Sequence, residues 1–226
     1  MAAGAGSRVG LLVPAAVIGT LNGVIAGARR IYGWRRPRGA LAFALDSTWA
    51  LPMSAAALVP HLVAAVQSDA GYVPELSERA DRHVYERGLR FRKGFAITIG
   101  NVVNHAGDVR RSARRMRLVT DHEHVHVWQG RWWGPLYPLL YIGWSLGGAV
   151  VGAAVWLVRR REEAFAKVVE TCSYYLNPFE WWAYSRDDHW PPAGIVADMG
   201  WSFPVVRPFG ARPEGAFSRP EAAGHH

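Results

Sequence analysis

The placement of apolar residues along the chain constrains its fold more than any other feature. These residues concentrate in three blocks, 9–28, 40–66 and 135–158, and most charged residues lie between and after them. Charged residues make up 19% of the chain, whereas about 25% is usual in soluble proteins. Apolar stretches of about 20 residues are long enough to cross a bilayer as helices. The pattern therefore predicts a membrane-associated protein with several hydrophobic helices.

The first and third blocks have the length and composition of membrane-spanning helices. Block 9–28 is uncharged; Arg8 precedes it, but most of the nearby positive charge follows it, which favours an uncleaved anchor over a signal peptide. Block 135–158 contains two glycine pairs at GxxxG spacing, which lets two helices approach closely. The pairs are Gly143 with Gly147 and Gly148 with Gly152. These glycine pairs predict that the helix contacts a membrane-protein partner or a second copy of the chain.

The second block, 40–66, contains Asp46, Pro52 and Pro60. Because proline kinks or ends a helix, the block fits a bent hairpin or an interfacial pair of helices as well as one span. A re-entrant arrangement is favoured, since it places the basic regions 29–39 and 78–117 on the same, cytoplasmic side. Asp46 is then predicted to cap a helix at the membrane interface.

The chain has a net charge of +8, and its positive residues are almost all arginines. Two arginine runs, Arg29–Arg30 and Arg159–Arg161, directly follow apolar blocks. This placement favours contact with anionic lipid headgroups, and no nucleic-acid-binding motif accompanies the charge. We therefore predict membrane lipids, and not nucleic acid, as partners. With Cys172 as the single cysteine, any metal site must be built from histidine and carboxylate ligands.

The polar segments between the blocks predict an α+β fold. Phe95–Val103 has the alternation typical of a strand, and Gly88–Phe91 is predicted to pair with it across a turn at Arg92–Gly94. We expect a mainly helical protein with a short antiparallel sheet packed on the helix that begins near Thr120. The chain divides into apolar N-terminal segments (1–67), a domain at 68–190 that includes the hydrophobic helix 135–158, and an irregular tail (191–226).

The decapeptide from Thr120 to Gln129 contains the most informative motif, HExxH. On a helix, His122 and His126 lie one turn apart on the same face, at a spacing that suits two ligands of one Zn²⁺. Glu123 at the edge of that face is the usual general base of such a motif. His124 points to the opposite side. An alternative explanation of Glu123 is a capping box formed with Thr120.

A hydrolytic zinc site needs a third protein ligand, and His₂Glu is a common set. Glu180, in the segment Asn177–Tyr184, is the favoured candidate, and Glu170 and Glu163 are alternatives upstream. Glu180 also has a purely structural explanation, because Asn177 as N-cap and Glu180 three residues later fit a helix start.

Three segments in this order carry a resemblance: Phe95–Val103, His122–Tyr141 (HEHVHVWQGRWWGPLYPLLY) and Asn177–Tyr184 (NPFEWWAY). They resemble a family of small, uncharacterised bacterial zincin-like proteins of the gluzincin type. The resemblance covers roughly residues 88–185. It implies a zincin-like fold in which His122 and His126 from the HExxH helix and Glu180 from a later helix hold the zinc.

These observations predict a zinc-dependent metallopeptidase in the bacterial inner membrane that hydrolyses a peptide or protein substrate. Glu123 is the expected general base, Tyr184 a candidate donor to the oxyanion, and the strand at Phe95–Val103 a surface on which an extended peptide could pair. The alternatives are a non-catalytic scaffold in which zinc holds two helices together, and a basic membrane scaffold without metal.

Overall fold

The structure, a computed structural model, describes residues 3–90, 94–158 and 164–186. The described residues are mainly helical with one small sheet, which confirms the α+β class. The α-helices are α1 (Ala3–Ala28), α2 (Pro37–Ser47), α3 (Leu51–Val66), α4 (Ala113–Arg117), α5 (Glu123–Trp133), α6 (Leu136–Val158), α7 (Phe165–Glu170) and α8 (Pro178–Arg186). The predicted tail at 191–226 and the basic run Arg159–Arg161 lie outside the described residues.

The sheet is mixed, not antiparallel as predicted. Its strands are β1 (His83–Val84), β2 (Ile97–Ile99) and β3 (Val102–Asn104), in the order β1-β3-β2. β2 and β3 form a tight antiparallel hairpin, and β1 pairs parallel to β3. The continuous strand predicted over this region is broken at Gly100, which adopts a φ of +57°. A side chain there would also collide with the backbone carbonyl of Met53, so α3 packs directly on the turn.

A cluster of valines packs the sheet against the helix that carries the HExxH motif. Val84 of β1 and Val103 of β3 contact Val119 and Val127, which lie before and within α5. All four side chains are fully buried. Their burial positions α5 relative to the sheet through non-directional apolar contact.

Two wide π-helical turns interrupt the helical segments. Leu118–His122 connects α4 to α5, and Thr171–Tyr175 follows α7 and leads to α8. Such turns contain one residue more than an α-helical turn and are frequent at functional sites. The first turn contains His122, and the second ends shortly before Glu180.

A buried ion pair joins α2 to α5. The guanidinium of Arg131 donates to both carboxylate oxygens of Asp46, at 2.9 and 2.8 Å, and both residues are almost fully buried. The hydroxyl of Tyr32 donates to the same carboxylate at 2.8 Å. The prediction that Asp46 caps a helix at the membrane interface is therefore wrong. Asp46 lies within α2, where the charge of Arg131 compensates it.

The second apolar block does not form one straight helix. It forms α2 and α3, which are bent by 88° at a short break ahead of Pro52, whereas Pro60 lies inside α3. Among the described residues, α6 is the only individual helix that is long and apolar enough to cross a bilayer. The bent α2–α3 pair would also meet these criteria if the two helices together formed one broken span. Only 6% of the apolar window of α6 is buried, so α6 is not packed as the core helix of a globular domain.

The two glycine pairs of α6 have different surroundings. A Cβ on Gly152 would lie 2.9 Å from the Cα of Val169, and one on Gly148 would lie 2.8 Å from the Cα of Ser173. This pair therefore lets α7 and the second π-helical turn pack closely against α6 within the same chain. Gly143 and Gly147 have no atom within 4 Å of the same position. The predicted contact of α6 with another protein therefore stays a prediction, and it concerns only Gly143 and Gly147.

Candidate metal centre

The structure brings His122, His126 and Glu180 together. The Nε2 atoms of the two histidines are 3.2 Å apart. Oε2 of Glu180 lies 3.4 Å from Nε2 of His122, and Oε1 lies 3.5 Å from Nε2 of His126. All three residues are buried, with 3%, 8% and 3% of their surface exposed. The alternative ligand Glu170 is not part of this group, and Glu163 lies outside the described residues.

The dimensions of this triangle fit a tetrahedral zinc ion. With ligands at about 2.0–2.1 Å from the metal, tetrahedral geometry separates neighbouring ligand atoms by about 3.3 Å. The three observed separations, 3.2, 3.4 and 3.5 Å, lie close to that value. Two imidazoles and one carboxylate are also a donor set that zinc prefers. The residues present therefore fit a zinc ion.

Gln129 fixes the tautomer of His126. The amide nitrogen of Gln129 donates to the backbone carbonyl of Phe179 at 2.9 Å, which orients its Oε1 toward Nδ1 of His126 at 2.8 Å. Because an amide oxygen only accepts, Nδ1 must carry a proton, so in the neutral ring the lone pair of His126 is on Nε2. Nε2 is the atom that faces His122 and Glu180, so the ring is preset to bind metal.

Two tyrosines of α6 contact the ligand set. The hydroxyl of Tyr141 donates to Oε1 of Glu180 at 2.7 Å, and that of Tyr137 lies 3.2 Å from Nδ1 of His126. The sequence analysis missed both, because aromatic residues at the start of an apolar helix are typical of a membrane interface. Their i, i+4 spacing places both on one helix face, which is the signal that the sequence contained.

The electrostatics of the three ligands favour a charged carboxylate. Burial alone would raise the pKa of Glu180, but the imidazoles of His126 and His122 lower it well below its usual range. Burial likewise works to lower the pKa of His126, yet the Glu180 carboxylate raises it above the ordinary value. Oε2 of Glu180 is buried and accepts no hydrogen bond from the described residues. A buried carboxylate oxygen of this kind is well suited to a cation.

The edge strand of the sheet holds Glu123. The hydroxyl of Thr98 in β2 donates to Oε2 of Glu123 at 2.7 Å. The capping box proposed as an alternative role for Glu123 is absent here, since the hydroxyl of Thr120 donates to the carbonyl of Met116 and the helical segment begins earlier, at Ser112. A hydrogen bond to Thr98 thus links the Glu123 side chain to the sheet.

Asn177 has the capping role that the sequence suggested. Its Oδ1 accepts a hydrogen bond from the backbone N–H of Phe179 at 3.1 Å, at the start of α8. Glu180 faces the two histidines and Tyr141. Within this short segment, Asn177 therefore caps the helix, and Glu180 is the candidate metal ligand.

Tyr184 and His124 flank the site in different ways. The ring of Tyr184 packs edge-on against His122, with 4.4 Å between ring centroids. This contact supports the orientation of His122, and the oxyanion role of Tyr184 stays a prediction. His124 contacts Arg38 and Arg82 on the other side of α5, as the helical spacing predicted. Burial, together with these two arginines, lowers the pKa of His124 to about 3.

Comparisons of the chain with protein-family models, with curated proteins and with solved structures find no match. The assignment of a function therefore depends on the geometry of the site and on the chemistry of its residues.

Proposed function

We propose that the chain is a membrane-associated zinc metallopeptidase. The observation that carries the proposal is the triangle formed by His122, His126 and Glu180, whose sides match the edges of a tetrahedral zinc site. The HExxH motif adds a carboxylate, Glu123, directly beside the first ligand. The hydrogen bonds of Gln129 and Tyr141 support it further, because metal ligands in proteins are commonly oriented by such partners.

Zinc held by such a set supplies a Lewis acid that activates water near neutral pH. In the proposed reaction Glu123 accepts the proton of the attacking water and then transfers it to the leaving amine. Thr98 holds Oε2 of Glu123, so Oε1 is the oxygen proposed to take the proton. Gln129 keeps the proton of His126 on Nδ1 throughout.

The edge strand β2 is the proposed surface for the substrate. In the sheet order β1-β3-β2, one side of β2 has no neighbouring strand among the described residues. An extended peptide can pair with such an edge through backbone hydrogen bonds. Because Thr98 of β2 also contacts Glu123, a peptide on this strand would lie beside the proposed base. The proposed substrate is therefore a peptide or protein in extended conformation.

Membrane association is proposed from the apolar helices. Many large apolar side chains of α6 are exposed, among them Leu139, Leu146 and Val150. In water such a surface would be unfavourable, whereas in a bilayer it is solvated by lipid. The chain would be found in the bacterial inner membrane, and lipids would be its immediate partners. Recovery in a membrane fraction that resists high-salt washing tests this part, and release by salt would contradict it.

Metal analysis of the purified full chain tests the zinc site. We expect about one zinc per chain, and loss of most of it in the Glu180→Gln variant, because one of three protein ligands is weakened. Glu170→Gln is the matched control, since Glu170 is a glutamate of α7 outside the site, and it should keep the metal. Substantially less than one zinc per wild-type chain, or equal zinc in the two variants, would contradict the proposal.

Glu123→Gln tests the hydrolytic step. The variant should retain zinc but lose hydrolysis of a mixed peptide library, since glutamine cannot accept the proton of water. A scaffold in which zinc only joins α5 to α8 is a second candidate, favoured by the burial of all three ligands. For a scaffold, Glu123→Gln and the wild-type chain would both bind zinc and neither would cleave any peptide.

A further inference from the structure

A groove lies on the side of α5 that faces away from the metal ligands. It is an open groove with a volume of about 760 Å³, lined by the start of α2, the first π-helical turn, α5 and α8. Its walls contain three tryptophans, two arginines and His124. The tryptophans are Trp128, Trp132 and Trp182, and the arginines are Arg38 and Arg186. The groove therefore combines aromatic surface with positive charge.

The hydrogen bonds around His124 leave positively charged donors without acceptors. A guanidinium nitrogen of Arg38 lies 2.6 Å from Nε2 of His124, and one of Arg82 lies 2.6 Å from Nδ1. A neutral imidazole accepts at one nitrogen only, and a protonated one accepts at neither. At least one of the two guanidinium groups therefore meets a ring nitrogen that cannot accept its hydrogen bond.

Arg82 has further unmet hydrogen-bonding capacity. It is 6% exposed, and its Nε has no hydrogen-bond partner. Within the part of the chain that the structure describes, no carboxylate forms an ion pair with Arg82 or Arg38. A buried arginine normally has an anionic partner, because desolvation of an uncompensated charge is costly. Burial lowers the pKa of the Arg82 guanidinium to about 10, although the nearby carboxylates of Asp81 and Asp121 act to raise it, so the described residues compensate its charge only in part.

The start of α2 adds to this positive potential. α2 begins at Pro37 beside the groove, its N-cap Arg36 makes no side-chain capping hydrogen bond, and its first turn contains no acidic residue. The N-terminal end of a helix carries a partial positive charge that favours anions. In α2 this charge acts without most of the free N–H groups, since Pro37 has none and those of Gly39 and Ala40 donate to the carbonyl of Arg36. Asp121 is the acidic residue in the groove wall.

We propose that this groove binds the phosphate group of an anionic phospholipid. Arg38 contacts the phosphate directly, and Arg82 acts through His124 and through its charge. The apolar rim explains why the phosphate belongs to a lipid. Trp132, Trp182 and Leu41 at the groove are 51%, 42% and 41% exposed, and they offer apolar contact to the glycerol backbone and the first methylene groups. Exposed tryptophans beside basic pockets are typical of the lipid headgroup region.

The position of the rim agrees with this ligand. Trp132 lies near the end of α5, and a short turn at Gly134 separates it from the start of α6 at Leu136, so the groove lies near the level at which α6 would enter the bilayer. The proposed lipid site does not include the metal ligands His122, His126 and Glu180. Glu180→Gln should therefore bind lipid like the wild-type chain, even where it no longer holds zinc.

Native mass spectrometry of the full chain in a neutral detergent tests the proposal. The probes are dioctanoyl phosphatidylglycerol, dioctanoyl phosphatidylcholine, inorganic phosphate and an acidic peptide with a free C-terminal carboxylate. We expect the phosphatidylglycerol to bind at one saturable site, about tenfold more tightly than the phosphatidylcholine. Arg38→Gln should abolish this preference. Arg35→Gln, which removes the same charge three residues away outside the groove, should preserve it.

Arg38 is exposed, so its replacement should leave the fold intact, and an unchanged circular dichroism spectrum checks this. Equal binding of the two lipids, or the same loss in Arg35→Gln and Arg38→Gln, would overturn the proposal. Inorganic phosphate bound as tightly as the lipid would show a site for free anions. Preferential binding of the acidic peptide would show a peptide site. Either result would overturn the assignment to a lipid.

Discussion

Replacement of Gly148 by alanine should weaken the metal site from a distance. The added methyl group would lie 2.8 Å from the Cα of Ser173 and closer still to the carbonyl oxygen of Cys172. Ordinary van der Waals contact begins at 3.4 Å. The two backbones must therefore separate by about 0.6 Å or more, and both neighbours are backbone atoms that cannot rotate away.

The cost follows from this displacement. Overpacking of a close helix contact typically costs about 1–3 kcal/mol. The displaced segment, Thr171–Tyr175, leads directly into α8 and Glu180. Metal–ligand distances tolerate shifts of only about 0.2 Å, so we expect zinc affinity to fall about tenfold in addition to the loss of stability.

Gly143→Ala is the matched control, because it makes the same change in the same helix at a position with no atom within 4 Å. It should leave stability unchanged or raise it by up to about 1 kcal/mol, as Gly to Ala does in exposed helices. Denaturant unfolding in detergent with the metal removed gives the packing cost. Competition with a coloured chelator gives zinc affinity. Equal values for the two variants in both assays would refute the reasoning.

Three further changes probe the contacts around the site. Tyr141→Phe removes the donor to Glu180 and should lower zinc affinity about tenfold, measured by chelator competition. Arg131→Met leaves the buried carboxylate of Asp46 without its positively charged partner and should lower the free energy of unfolding by about 3–5 kcal/mol. Thr98→Val should reduce kcat against a peptide substrate several-fold with little change in zinc content, because the proposed base loses its hydrogen bond.

Each of these changes has a control that separates chemistry from packing. Tyr174→Phe removes a hydroxyl from another partly buried tyrosine near the site and should have a smaller effect on zinc than Tyr141→Phe. The double variant Asp46→Leu with Arg131→Met should recover much of the lost stability, since no charge is then buried alone. Thr98→Ser keeps a hydroxyl and should keep most of the activity. Failure of these controls to differ from the test variants would contradict the assigned roles.

The local part of the site follows from short sequence spacing. The shared face of His122 and His126 and the opposite position of His124 are consequences of helical periodicity alone. The grouping with Glu180 was expected from the resemblance to gluzincin-type proteins. Sequence spacing alone cannot predict the position of Glu180 beside the two histidines, because that position depends on how α5 and α8 pack.

Contacts between distant elements could not be predicted in this way. The pairing of Asp46 with Arg131 joins two helices far apart in sequence, and each residue alone is compatible with an interfacial or exposed position. Tyr141 resembles any aromatic residue at the start of an apolar helix until its hydroxyl is placed beside Glu180. Such pairs are determined by tertiary packing, about which periodicity says nothing.

The sheet was mispredicted for a related reason. The alternation of residues around β2 and β3 correctly indicated extended backbone. The hairpin turn was predicted at Arg92–Gly94, of which only Gly94 lies among the described residues, whereas the hairpin in the structure turns at Gly100. Both glycines have positive φ, so local chemistry permits a turn at either position. The close approach of α3 to Gly100 decides between them, since only glycine leaves room for the carbonyl of Met53.

The π-helical turn at Leu118–His122 has a consequence for how the ligand face of α5 can change. Its extra residue rotates everything upstream by about 100° relative to everything downstream. Val119 can therefore point into the valine core while His122 points to the other ligands within one continuous helical segment. Gain or loss of one residue in this turn would re-phase α4 while α5 stays anchored by Arg131. The upstream part of the valine core, at Val119, can thus change among descendants of the chain without redirecting the metal ligands, whereas the part at Val127 is tied to them through α5.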